Sequence, residues 1–107
     1  MIIKDTNMTV KVTKMFVREN ISIPFYERTT GDKTHITTTF TTSGKQISRD
    51  RILSADQLEL TIVRVFETIE DYESFLADPV VASSKAERIE YNSINSIIEY
   101  PGVVEQV

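Results

Sequence analysis

The side chains in this 107-residue sequence with the most chemical potential are its arginines. Arg49 and Arg51 share a strand parity with Ile47 and Leu53, and Arg64 shares one with Ile62 and Phe66. A guanidinium at an otherwise apolar strand position has to find a carboxylate, a carbonyl or a ligand anion, because a desolvated, unpaired charge is strongly unfavourable. Together with Arg18 at the end of the first strand, these arginines could line a pocket for a small acidic or enol-type ligand. Salt bridges to Asp50, Glu59 or a partner subunit are the alternative. Tyr26, Tyr72 and Tyr91 offer phenolic hydrogen bonds to such a pocket, or serve as amphipathic residues at the edge of the core.

Other chemistries are narrowed by what the chain contains. His35 is its only histidine, which excludes a multi-histidine metal site. Set among threonines, it reads as a solvent-facing or partly packed residue, with a general-base role as the alternative. The carboxylates Glu67, Glu70, Asp71 and Glu73 fall in the first turn of an expected helix, where they complement its dipole rather than a metal. With no cysteine, disulfides, thiolate metal sites and cysteine nucleophiles are excluded. Only Gly31, Gly44 and Gly102 are present, so no glycine-rich phosphate loop exists. A net charge of −4 argues against nucleic-acid and anionic-membrane partners. No cofactor is implied. The segment Met1-Ile2-Ile3-Lys4-Asp5-Thr6-Asn7 has neither the length nor the apolarity of a signal peptide, and no apolar run is long enough to span a bilayer, so a cytoplasmic protein is expected.

These residues must be positioned by a small set of elements. Apolar content of 40% and charged content of 26% suit one globular domain over residues 1–107. Such a chain should bury about two thirds of its unfolded surface. Met8 to Val17 alternates as a strand whose apolar phase slips after Lys14. Either a β-bulge lies there, or both faces of the strand are covered. Glu27 to Ser43 is contested: its threonines favour a strand, while Ile36 and Phe40, four apart, and Gly44 at a cap position favour a helix. Gln46–Leu53 and Leu58–Phe66 form a hairpin around Ser54-Ala55-Asp56-Gln57. Thr68 caps a helix carrying Ile69, Tyr72, Phe75 and Leu76 on one face. Asp78-Pro79 then opens a second segment reaching about Asn92, with Val81, Ala82, Ala86 and Ile89 as its apolar stripe. A final strand around Ser96–Tyr100 precedes Pro101-Gly102, and Val103–Val107 is its continuation or a tail.

With the contested segment as helix, the order is βαββαβ, an α+β ferredoxin-like fold with both helices on one face of a four-stranded antiparallel sheet. The other face would leave Val63, Val65 and the second-phase residues of the first strand uncovered, so a homodimer closing two sheets into a barrel is expected.

Several stretches resemble the dimeric α+β barrel superfamily related to the antibiotic biosynthesis monooxygenases. They are the hairpin Leu53-Ser54-Ala55-Asp56-Gln57-Leu58, the strand Thr61-Ile62-Val63-Arg64-Val65-Phe66 and the helix start Glu67-Thr68-Ile69-Glu70-Asp71-Tyr72-Glu73-Ser74-Phe75. The Asp78-Pro79 break and Ile23-Pro24-Phe25-Tyr26 complete the set. The resemblance implies a helix over about 27–43. For the monooxygenases it also implies an Asn, a Trp and an Arg, or a His, around the cavity. This chain has no Trp, so no catalytic residue is carried over. The expectation is a homodimeric barrel module holding a small hydrophobic or acidic molecule, with Arg49, Arg51, Arg64, Tyr26, Tyr72 and His35 as candidate ligand contacts. The alternative is a cofactor-independent, monooxygenase-like enzyme acting on such a ligand.

Overall fold

A computed structural model describes residues 8–107; the N-terminal stretch Met1–Asn7, on which the targeting expectation rests, lies outside them. Among the described residues, strands β1 (Val10–Val17), β2 (Gln46–Leu53), β3 (Glu59–Phe66), β4 (Ile98–Glu99) and β5 (Val103–Gln106) form one antiparallel sheet. Its order is β2-β3-β1, with β4 and β5 both on the far edge of β1. The fold is ferredoxin-like α+β, with one strand more than expected, because the chain beyond Pro101-Gly102 returns to pair with β1.

β1 contains no bulge. Its pairing with β3 runs without a break from Val10 opposite Phe66 to Val17 opposite Glu59. Val10, Val12 and Phe16 are buried on the helix-covered face, and Lys14 interrupts them there. Its ammonium is paired with Glu99 at 2.9 Å, which is why a charge is tolerated in that row. Met15 and Val17 belong to the opposite face. The bulge lies in β2 instead, at Ile47.

Helix α1 (Thr30–Ile36) runs on into a π-helical turn at Thr37–Thr41. It is shorter than the expected 27–43 span. Thr29 caps it, its hydroxyl accepting from the Asp32 amide at 3.1 Å. Ile36 and Phe40 both bury against the sheet, and that burial overrides the strand preference of the threonines. The Thr42 amide reaches back to the Thr37 carbonyl, and Gly44, with φ of 83°, ends the segment in the left-handed region.

Helix α2 (Ile69–Ala77) is capped by Thr68, and α3 (Pro79–Ile94) by Asp78, whose carboxylate accepts from the amides of Val80 and Val81. The α3 stripe differs from expectation. Val81 is buried, but Ala82, Ala86 and Ile89 face outward, and the packed face carries Val81, Ser84, Arg88 and Asn92. Hydrogen bonds from Arg28 to Ser84 and from Arg88 to Glu99 hold the helix in that rotation.

Among the described residues the core has two parts. Val10, Val12, Ile36, Phe40, Phe66, Phe75 and Val81 form one; Phe16, Phe25, Leu60 and Ile97 form the other. In the first, Phe75 stacks edge-on with Phe40 at 5.2 Å and tilted against Phe66 at 5.1 Å. No helix among the described residues is long and apolar enough to cross a membrane.

Candidate functional site

The bulge at Ile47 decides which way β2 points its arginines. Gln46 stands opposite Phe66, but Ser48 rather than Ile47 stands opposite Val65. From there Arg49 pairs with Arg64, Arg51 with Ile62 and Leu53 with Leu60. One unpaired residue thus places Arg49 and Arg51 on the same face as Arg64, towards the helices. Asp50 turns to the opposite face, and neither it nor Glu59 forms an ion pair with these arginines among the described residues.

That face and the helices enclose a cavity of about 690 Å³, within the range of small-molecule sites. Phe16, Leu60 and Ile62 line it from the sheet, Ile36, Thr37 and Thr41 from α1 and its π-turn, and Arg88 and Asn92 from α3. The extended segment Phe25-Tyr26-Glu27-Arg28 closes one side.

Six cations line this cavity: Arg28, Lys33, Arg49, Arg51, Arg64 and Arg88. Among the described lining residues only Glu27 is acidic. It lies 4.0 Å from Arg51 and 3.7 Å from Lys33. Arg88 is paired with Glu99, which does not line the cavity, through Nε at 2.8 Å and Nη2 at 3.2 Å. Burial would raise the Glu99 pKa, but hydrogen bonds and charge from Arg88 and Lys14 outweigh it and hold the carboxyl below its usual range.

The remaining three arginines form no ion pair among the described residues. Arg64 donates to the Gln46 side-chain oxygen at 3.1 Å and lies 5.1 Å from the Phe75 ring centre. Burial first, then the positive charges of Arg28, Arg49 and Arg88, push its pKa down to about 9, still charged at neutral pH. Arg28 donates to Ser84 Oγ at 2.9 Å, and burial with the charges of Arg88 and Arg49 lowers its pKa as well. Arg49 makes neither a hydrogen bond nor an ion pair among the described residues and opens to solvent at the cavity mouth. Partial burial and neighbouring Arg51 lower its pKa, against the pull of Glu27.

Gln46, only 4% exposed, holds this arrangement together. Its amide nitrogen donates to Thr41 Oγ1 at 3.2 Å while its oxygen takes the Arg64 bond. The π-turn thereby reaches the innermost guanidinium.

The sequence-derived candidates divide between the cavity and elsewhere. Arg49, Arg51, Arg64 and Tyr26 line the cavity, although the Tyr26 hydroxyl is engaged with Glu87 at 2.9 Å. Tyr72 lies outside it, in the core against Phe66 at 5.3 Å, because the α2 face that carries it packs on the end of β3. His35 also lies outside, its Nε2 2.9 Å from the carboxylate of Asp78 at the start of α3. Arg18 is occupied by the carbonyls of Gln57 and Ile23, and Tyr91 by that of Pro24. Sequence reasoning missed Arg28, Arg88, Gln46 and Asn92. Arg88 follows Val81 and Ser84 at helical spacing, which is a readable signal. Arg28 has none, since it sits in an extended segment with no period.

Fold and site together define a class: a ferredoxin-like α+β fold whose cavity between sheet and helices is walled by arginine. Comparison with solved structures finds the same fold in cofactor-independent oxygenase SnoaB from Streptomyces nogalater. The TM-score is 0.65 and the identity 9%, over 94% of this chain and 93% of that one. A candidate antibiotic biosynthesis monooxygenase from Nitrosomonas europaea is similar at TM-score 0.61 and 12% identity, over 99% and 95% of the two chains. A dimeric protein of unknown function and ferredoxin-like fold from Bacteroides fragilis is similar at 0.51 and 8%, over 96% and 98%. No family model and no curated protein matches. The chain shares the ferredoxin-like fold of these proteins.

Proposed function

We propose that this chain is a single-domain, homodimeric α+β barrel protein of the cytoplasm that binds a small acidic molecule in its arginine-walled cavity. The observation that carries the binding reading is the convergence of Arg28, Arg49 and Arg64 on one cavity with none of them ion-paired among the described residues. Guanidinium forks match carboxylate and phosphate oxygens, and a partly dehydrated site strengthens that attraction. The apolar lining from Phe16, Leu60 and Ile62 accepts the rest of the molecule. The test is calorimetric titration with an aryl carboxylate and its uncharged amide. Binding of the acid alone is expected; equal binding of both, or of neither, removes the reading.

Homodimerisation is supported by the sheet face away from the helices. Met15, Val17, Val63 and Val65 occupy its centre, while Ile52, Ile98 and Val103 are each about half exposed there. No described element covers it, and a second copy of the same face would. The Bacteroides fragilis protein of this fold is itself described as dimeric. Light scattering behind a sizing column should give twice 12.2 kDa across a dilution series. A stable monomer would contradict it.

A second reading, a cofactor-independent oxygenase, is supported by the likeness to SnoaB and by a cationic cavity able to stabilise an enolate. Oxygen uptake with an acidic phenol that binds the cavity tests it; binding without uptake removes it.

A further inference from the structure

We infer that the ligand has two negative charges clustered at one end and an apolar body at the other. This inference deepens the proposed acidic-molecule binding and rests on it. It comes from the order of residue pairs along the β2–β3 ladder. At one end Arg49 faces Arg64, and the next pair on this face is Arg51 with Ile62. Leu60 follows on β3, and Phe16 of β1, which also lines the cavity, lies across from it. The sheet side of the cavity therefore grades from doubly cationic to wholly apolar over four residues of strand, roughly 13 Å.

Charge count at the cationic end sets the valence of the head. Arg49 and Arg64 stand directly opposite each other, an arrangement that repels in the absence of a counter-ion. Arg28 adds a third charge, anchored from outside by Ser84. Glu27 is already shared between Arg51 and Lys33, and Glu99 between Arg88 and Lys14. A monoanion balances one of the three guanidinium charges that have no ion-paired carboxylate among the described residues. A dianionic head, such as two neighbouring carboxylates or a phosphate monoester, balances two and offers enough oxygens for separate guanidinium forks.

The experiment compares four probes of one size on the whole chain: benzamide, benzoate, phthalate and phenyl phosphate. The expected result is at least one dianion binding tenfold or more tighter than benzoate, with no binding of benzamide. Phthalate favoured over phenyl phosphate identifies a dicarboxylate head, and the reverse a phosphate head. Arg49→Ala, at the solvent-accessible mouth, should bring the favoured dianion to within threefold of benzoate while leaving the unliganded protein folded. If benzoate binds as tightly as both dianions, the two-charge inference falls and acidic-ligand binding stands. If no acid binds, both fall. Unchanged dianion affinity in a folded Arg49→Ala variant also overturns the inference.

Discussion

Arg49 of β2 stands directly across the antiparallel ladder from Arg64 of β3, with no carboxylate between them among the described residues. Like charges facing one another across a strand pair destabilise a sheet by a fraction of a kcal/mol to about 1 kcal/mol. Replacing Arg49 by Gln should therefore stabilise the unliganded protein by about 0.2–1 kcal/mol. The gain should shrink as salt screens the repulsion. Thermal denaturation at low and high ionic strength measures both.

The pairing depends on the bulge at Ile47. Deleting Ile47 should restore a regular ladder, keep the chain folded, and leave Arg49 and Arg51 facing the helices, because Gln46, Ser48 and Arg49 then oppose Phe66, Val65 and Arg64 in unbroken succession. Stabilisation by an acidic ligand should then be retained, together with the far-ultraviolet circular dichroism. Loss of that stabilisation in the folded deletion variant would show that the arginines on this face are not what holds the ligand.

Gln46 joins the π-turn to the cavity through Thr41 and Arg64. Gln46→Leu keeps the volume but leaves the inner guanidinium without its hydrogen-bond acceptor. A loss of about 1–3 kcal/mol in denaturant unfolding is expected, as for other buried polar groups left unsatisfied. Ligand affinity should fall in parallel because Arg64 loses its orientation.

Glu99 gathers Lys14, Arg88 and the Asn92 amide. Its pKa is depressed in the folded chain, so its stabilising contribution is complete above the unfolded glutamate value of about 4.3. The contribution is lost as pH falls through the lower folded value. Glu99→Gln should flatten the acid side of the stability profile below about pH 4.3 and lower stability at neutral pH. A pH series of chemical denaturation curves checks the sign.

Phe66 is fully buried between Phe75 and Tyr72, at the end of the strand that carries Arg64. Phe66→Ala should lose about 3–5 kcal/mol by removing buried surface and leaving a cavity. Denaturant titration with the slope held constant measures it.

Much of the fold is legible in the linear sequence because its signals are local. Thr68 and Asp78 cap their helices through amides two or three residues away, Pro79 stands at the first helical position, and Ser54–Gln57 turns the hairpin within its own span. Ile36 and Phe40 outweigh the threonines around them by a spacing visible in the sequence itself. Strand period also brought Arg49, Arg51 and Arg64 forward as one set. Register across strands is different, because it belongs to two segments at once. Gln46–Leu53 reads equally well with or without an extra residue, and only its pairing with β3 puts the bulge at Ile47. Lys14 gave β1 an apparent slip because its partner Glu99 lies 85 residues away. Arg28 and Arg88 enter the cavity from an extended segment and a helix that meet only when the chain is packed. Side-chain types and local elements were written in the sequence, whereas the convergence of uncompensated charge is a long-range property and was decided by tertiary structure.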